Sequence, residues 1–303
     1  MLYQTAMRRT FLLVDAFSLI YRAFYAIPML TAPDGHQVNA IYGFTKMLRK
    51  LCADFPHTHV AVVFDLGAPV RRLKHLPSYK AQRPPTPPSL QEQLPAIRDM
   101  LAALRLAIVE MEGEEADDVV ATLAVQGARD GGRALIASSD KDFLQLVGAQ
   151  IHVIRPDGKQ AVLLDADAIV ARYGVRPEQV TDYLSLIGDS VDNIPGIPGV
   201  GPKTAVELLT RFQSVDNLLE RTGEISKPKL RETIETHAAQ IRTNRILVAL
   251  YTDLNLPMSL DSLQAQPVDI EKLVDLCQKH GFKTLLTELR RPREKTGDLF
   301  AVN

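Results

Sequence analysis

Nine carboxylates fall in five short clusters within the first 192 residues: Asp15; Asp65; Glu115, Asp117 and Asp118; Asp140 and Asp142; Asp189 and Asp192. The clusters at Asp15, Asp65 and Asp140 each follow a run of β-formers. A fold that gathers these groups into a poorly hydrated cleft must offset a repulsion too large to stand alone. Divalent cations are the obvious compensation, and oxygen donors with retained water suit Mg²⁺. Between Leu66 and Gln91 there is no acid, but the segment carries Arg71, Arg72, Lys74, Lys80 and Arg83. Ion-holding acids beside a basic segment imply chemistry on a phosphodiester.

Each cluster also has a plainer explanation. Glu115 and Asp118 are three apart and share a helical face, whereas Asp117 points elsewhere unless it lies in the first turn. Acids at a helix start also suit the helix dipole without any ligand. Asp140 and Asp142 bracket Lys141 at a spacing that lets two loop carboxylates face one ion, though such a triplet is common on surfaces. The recurrence of acids at matching places in an alternating layout favours the functional reading.

Pro84, Pro85, Pro87 and Pro88 crowd the stretch Lys80–Ser89, which excludes a sheet ladder or a helix interior. An exposed basic connection is one reading. The other is a lid or arch over the acids: Tyr79 offers a face for base stacking, Lys80 and Arg83 hold phosphates, and Arg71, Arg72 and Lys74 lead a strand inward. Residues 188–209 read GDSVDNIPGIPGVGPKTAVELL. Gly196, Gly199 and Gly201 permit tight turns and Pro202 starts a helix, as in a helix-hairpin-helix whose amides, with Lys203, hold a DNA phosphate. Pro202 parts Gly201 from Lys203, so this is no Walker loop.

The elements that must position these groups read as alternating strands and helices. Apolar runs at 11–14, 60–64, 106–109, 134–137 and 151–154 are strands; helical patterns span 40–51, 90–104, 116–128 and 142–147. Unalternated strands between helices predict an α/β fold, a mostly parallel central sheet flanked by helices. Ligands of such sheets gather beyond the strand carboxyl ends, where Asp15, Asp65 and Asp140 project. Beyond residue 260, helices at 270–276 and 284–289 complete the core.

Composition sets wider limits. The 303 residues hold 35 Lys and Arg against 36 Asp and Glu, so bulk charge offers no support for nucleic acid. Cys52 and Cys277 lack metal-ligand spacing, which fits a reducing compartment. The apolar run after Arg9 ends at Asp15, too short for a signal or a membrane span.

The motifs LLVDAFSLIYRAFYA, AVVFD, YKAQRPPTP, EEADDVVATLA, SSDKDFLQL and GDSVDNIPGIPGVGPKTA closely resemble the 5′-nuclease family, which contains the 5′ to 3′ exonuclease domain of bacterial DNA polymerase I and the flap endonucleases. The resemblance runs from about Phe11 to Pro257. It implies a PIN-like catalytic core over 10–180 with a helical arch at about 70–95, a helix-hairpin-helix DNA-binding region over 181–290 and a flexible tail at 291–303. Asp15, Asp65, Glu115, Asp117 and Asp118 would surround one part of a metal centre holding two or more Mg²⁺, or Mn²⁺. Asp140, Asp142, Asp189 and Asp192 would surround the other. Arg22, Lys80 and Arg83 carry over as catalytic cations and Arg72 as a conserved basic residue. Gly196, Gly199 and Gly201 mark a potassium site.

Ala16 and Phe17 depart from the commoner Gly-containing pattern, and Arg71 stands where an aromatic is often found. The implied activity is metal-assisted hydrolysis yielding 5′-phosphates, on branched, flapped or nicked DNA with a 5′ end and on RNA–DNA hybrids. The expected setting is bacterial cytoplasm on DNA, as a monomer without membrane contact, either independent or fused to a DNA polymerase. Two competing readings are a PIN-like ribonuclease, which would not require the helical hairpin, and a branched-DNA binding module without catalysis.

Overall fold

The computed structural model describes residues 8–157 and 160–289. The expected tail at 291–303 lies outside the described residues. Six strands, β1 (Thr10–Asp15), β2 (His59–Leu66), β3 (Ala107–Glu112), β4 (Arg133–Ala137), β5 (Ile151–Asp157) and β6 (Gln160–Leu164), form one sheet in the order β3-β2-β1-β4-β5-β6. The first five are parallel and β6 is antiparallel to β5. The expected mostly parallel sheet is therefore present, with β6 added as an antiparallel edge strand outside the five expected runs.

Both faces are covered, which is why the central strands lack alternation. Phe11 and Leu13 of β1 enter one core with Ala61, Val63, Ala134 and Ile136. Leu12 and Val14 enter the other with Val60, Val62 and Leu135.

The helices are α1 (Ala16–Ala26), α2 (Asn39–Asp54), α3 (Val70–His75), α4 (Pro88–Gln91), α5 (Leu94–Ala103), α6 (Ala116–Arg129), α7 (Ala166–Tyr173), α8 (Val180–Ile187), α9 (Pro202–Phe212), α10 (Val215–Glu220), α11 (Pro228–Thr236), α12 (Ala238–Val248), α13 (Ile270–Lys279) and α14 (Lys283–Leu289). Residues from α1, α2, α5, α13 and α14 fill the second core. Residues from α6, α8, α9 and α12 fill the first, so the hairpin region shares the core of the sheet.

Three readings need correction. The helix at 90–104 is broken into α4 and α5, because Pro95 opens a fresh helix after Gln93. The segment after Asp142 is a 3₁₀ turn, Asp142–Leu146. The arch contains only the six-residue α3 as helix before the chain turns through residues 76–87, as four prolines require.

Strand order reverses between β1 and β4, which leaves a crevice beyond their carboxyl ends. The register sets the acids around it: Asp15 lies level with Val63, two residues before Asp65, and Val14 lies level with Ala137, three before Asp140. Helix α8 ends at Gly188 with φ +73°, and the chain folds back so that Gly188 and Gly196 touch backbone to backbone.

A Cβ on Gly196 would stand 2.3 Å from the Ile187 carbonyl oxygen, whereas Gly199, with φ +74°, and Gly201 have open space. Gly196→Ala is expected to cost about 1–3 kcal/mol by overpacking, and Gly199→Ala roughly 1–2 kcal/mol through its left-handed backbone. Gly201→Ala should be close to neutral. Urea unfolding would reject this assignment if the three variants were equally stable.

Candidate functional site

The crevice is a cleft of about 820 Å³, and its walls include Asp15, Asp65, Asp117, Asp140, Asp189 and Asp192. Asp15 ends β1 and caps α1: its carboxylate accepts from the Ser18 amide at 3.2 Å and from the Ser138 hydroxyl at 2.7 Å. Ser138 Oγ in turn accepts the Asp140 amide at 3.0 Å, so one hydroxyl joins the ends of β1 and β4. Asp140 accepts the Asp142 amide at 2.9 Å. Asp65 accepts the Ala116 amide at 2.9 Å, which ties β2 to the start of α6 and sets Asp117 into the cleft. Asp189 and Asp192 sit on a tight loop closed by reciprocal backbone bonds between Asp189 and Ile194.

Crowding leaves an electrostatic mark. Burial, with further repulsion from Asp65 and Asp140, pushes the Asp15 carboxyl up to about 6. Burial, then Asp140 and Asp15, raise Asp117 well above the usual range. Burial, then Asp140, Asp192 and Asp189, do the same to Asp142. The buried Oδ1 of Asp142 has no hydrogen-bond donor among the described residues. Oxygen-only donors, mutual repulsion and an orphaned carboxylate oxygen fit a hard divalent cation.

Among the described residues, however, no three His, Cys, Asp or Glu side chains form a ready-made direct ligand set. Basic side chains stand among the acids instead. Lys80 Nζ pairs with Glu115 and lies 3.8 Å from Asp192. Arg83 pairs with Asp192, and Lys141 with Asp189 at 3.1 Å. Burial alone would lower the Lys80 pKa, but Glu115, Asp192 and Asp117 outweigh it and keep the ammonium charged. Lys80 also holds φ +56°, uncommon for a residue with a side chain.

Glu115 and Asp118 do share a face and both pair with Arg72, Glu115 also with Lys80, and neither acid lines the cleft. Arg72 is buried: Nη2 donates to Asp118 Oδ1 at 2.9 Å, Nη1 pairs with both acids, and further N–H groups donate to the carbonyls of Leu247 and Ala249. Asp118 also accepts the Tyr251 amide at 2.9 Å. Arg72 is thus a structural cation, where strand guidance was expected. Tyr79 is only 5% exposed and donates to Asp192 at 3.0 Å, so its ring has no free face for a base. Arg71 pairs with Glu114 at 2.7 Å; Lys74 is exposed. Arg22 lines the cleft. Lys203, exposed at the start of α9, stands on the hairpin with Gly196, Gly199 and Gly201.

Phe17, one of the departures from the family pattern, packs edge-on against Phe64 at 5.8 Å and lines the cleft. Tyr21 and Tyr25 stack at 6.4 Å along the same wall, and the Tyr21 hydroxyl bonds Thr86 at 2.7 Å. Phe24 is half-buried against the α1–α2 core. Sequence reasoning missed Ser138, Lys141, Arg155 and Tyr173 as site residues. Ser138, Lys141 and Arg155 sit at strand carboxyl ends and could have been found by the rule that found the acids; Tyr173 carried no such signal.

Two family models match the chain: "5'-3' exonuclease, N-terminal resolvase-like domain" over residues 10–174 and "5'-3' exonuclease, C-terminal SAM fold" over 175–271. DNA polymerase I of Bacillus caldotenax is 39% identical over 290 residues, which cover 94% of this chain and 33% of that protein. The 5'-3' exonuclease of Aquifex aeolicus is 38% identical over 281 residues, covering 93% and 95%. The chain thus spans about a third of the polymerases it matches. The bacteriophage T5 D15 flap endonuclease, in a complex with DNA and metal ions, superposes with TM-score 0.67 at 20% identity over 93% of this chain and 99% of that one. The catalytic core of Rad2 in complex with DNA substrate gives 0.64 at 17%, over 94% of each. At these identities the two structures establish the shared fold. No helix among the described residues is long and apolar enough to cross a membrane.

Arg72→Ala should cost about 3–5 kcal/mol, because it strands the buried Asp118 without a counter-ion and leaves Glu115 with Lys80 alone; a loss under 1 kcal/mol in urea unfolding would refute the structural role. For Asp15, the native pKa of about 6 exceeds the ordinary 3.8, so the native state binds more protons across that window and stability falls as pH rises through it. The shift amounts to about 3 kcal/mol. In EDTA, the wild type should lose more stability than Asp15→Asn between pH 4 and 6; parallel profiles would contradict this assignment.

Proposed function

The chain belongs to the 5′-3′ exonuclease family, and from that premise we propose that it is a metal-dependent, structure-specific nuclease that removes DNA from 5′ ends and cleaves 5′ flaps. The observation that carries the reading is the convergence of six aspartates on one cleft whose rim holds Arg22, Lys80 and Arg83. The substrates are branched or nicked DNA with a 5′ end and RNA–DNA hybrids such as primer remnants, met in bacterial replication and repair. The chain acts as a monomer in the cytoplasm, alone or joined to a DNA polymerase; the Aquifex aeolicus exonuclease supports the first form and the matched span of the polymerase relatives the second.

Asp15, Asp65, Asp117 and Asp140, with Asp142, Asp189 and Asp192, would hold two or more Mg²⁺ or Mn²⁺, partly through water. Glu115 stands behind them beside Lys80, and Asp118 supports the centre through Arg72. When bound, such ions would lower the pKa of a water at neutral pH and relieve charge on the leaving group.

The chain's own cations do the rest. Lys80 and Arg83 are held by Glu115 and Asp192, so a phosphate entering the cleft competes with those carboxylates for the same two donors. Arg22 and Lys80 stabilise charge on the reacting phosphate, an effect enlarged where water is excluded. The turn at Gly196, Gly199 and Gly201, with Lys203, holds a duplex phosphate, and a potassium ion at that turn belongs to the same proposal. Tyr21 and Tyr25 support the strand junction.

End-labelled 5′-flap, nicked and fully duplex DNAs, and single-stranded RNA, would be compared with Mg²⁺, Mn²⁺ and EDTA. Cleavage near the flap junction, dependent on the divalent ion, is expected, with 5′-phosphate products. Asp140→Asn and Lys80→Ala should lower turnover by about 100-fold or more, Asp140→Asn with little change in duplex binding. Equal cleavage in EDTA would remove the mechanism, and preference for single-stranded RNA would favour the PIN-like ribonuclease.

A further inference from the structure

The cleft extends past the acids to a wall formed by Arg155, Pro156 and Tyr173, far in sequence from the basic segment at 71–83. Arg155 sits near the carboxyl end of β5. Its neighbour Ile154 is level with Ala137, the last residue of β4, so Arg155 stands beside Ser138, one strand spacing from the loop that presents Asp140. Tyr173 ends α7, the helix that follows β6.

The pair is built as a unit. Arg155 Nη1 donates to the Tyr173 hydroxyl at 2.8 Å, and Nε is buried without an acceptor among the described residues. No ion pair joins Arg155 to a described carboxylate, in contrast to Lys80, Arg83 and Lys141, each of which already has one. A guanidinium anchored at one nitrogen by a neutral phenol keeps its charge and its remaining fork for an incoming anion. The cleft between this wall and Arg22 is continuous.

We propose that Arg155 is a second phosphate-binding residue of the cleft, taking a phosphodiester next to the scissile one on the cleaved strand, with Tyr173 as its positioning residue. The inference rests on the nuclease reading and adds a phosphate contact from β5 to those that Lys80 and Arg83 offer from the basic segment. Such a contact is sequence-independent: it raises affinity, fixes how far the strand advances, and contributes to counter-ion release.

The test measures binding and cleavage of a 5′-flap DNA across a salt series, using wild type, Arg155→Ala, Arg155→Lys and Tyr173→Phe. Binding is followed in Ca²⁺ and turnover in Mg²⁺. Arg155→Ala should weaken binding about tenfold and reduce the salt slope by about one unit. The effect should fall on KM with kcat nearly unchanged. Arg155→Lys should restore the slope, and Tyr173→Phe should raise KM less than Arg155→Ala does. Neutral methylphosphonates placed singly along the strand should weaken wild-type binding at one position beside the scissile phosphate and have no further effect at that position in Arg155→Ala.

A wild-type salt slope and an unaltered methylphosphonate profile in Arg155→Ala or, should that variant misfold, in the neutral Arg155→Gln, would overturn the subsite alone. A wild type that cleaves no DNA would overturn the nuclease reading and this proposal with it.

Discussion

Like charges crowded beyond the ends of three strands are the constraint on which the rest of the structure depends. Asp15, Asp117 and Asp142 are each held above the ordinary carboxylate range by burial and by one another. The chain meets that repulsion with amides, hydroxyls and ammonium or guanidinium groups drawn from separate segments. Ser18, Ser138 and the Ala116 amide satisfy individual oxygens, while Lys80, Arg83 and Lys141 neutralise Glu115, Asp192 and Asp189. The tension between acids and cations also makes the cleft responsive, since each cation shared by a carboxylate can be claimed by a phosphate.

The sheet makes this arrangement rigid at its base. Asp15 and Asp140 lie at the reversal of strand order, where no crossover helix can cover them. Asp65 is tied to α6 through one amide, next to Asp117, and Lys80 of the basic segment adds an electrostatic pull on Asp117. Around Arg72 the pattern differs. That guanidinium links α3, α6 and the end of α12, so it joins the foot of the arch to the helices of the hairpin region.

Much of this was legible in the sequence. Runs of β-formers that stop at an aspartate announce both the strand and its functional end, and Asp15, Asp65 and Asp140 all behave so. The prolines at 84–88 announced an irregular span. The roles of Arg72, Tyr79 and Asp118 were not legible, because residue type alone does not distinguish a buried cation from an exposed one. Arg72 meets Asp118 across 46 residues and the carbonyl of Leu247 across 175. Tyr79 meets Asp192 across 113 residues. Such pairings follow from topology, and local patterns carry no trace of them. The edge strand β6 escaped for another reason: its apolar run, Ala161–Leu164, is only four residues long, and two of its members, Val162 and Leu163, are exposed instead of buried in a core.

The backbone contact between Gly188 and Gly196 has a mechanical meaning. It joins the loop bearing Asp189 and Asp192 to the hairpin turn with no side chain between them. A duplex gripped at that turn would sit at a stand-off from the acids set by main-chain geometry alone. Under the proposed function, such a fixed spacing would act as a ruler, graduated by the backbone, for where along a strand a cut falls.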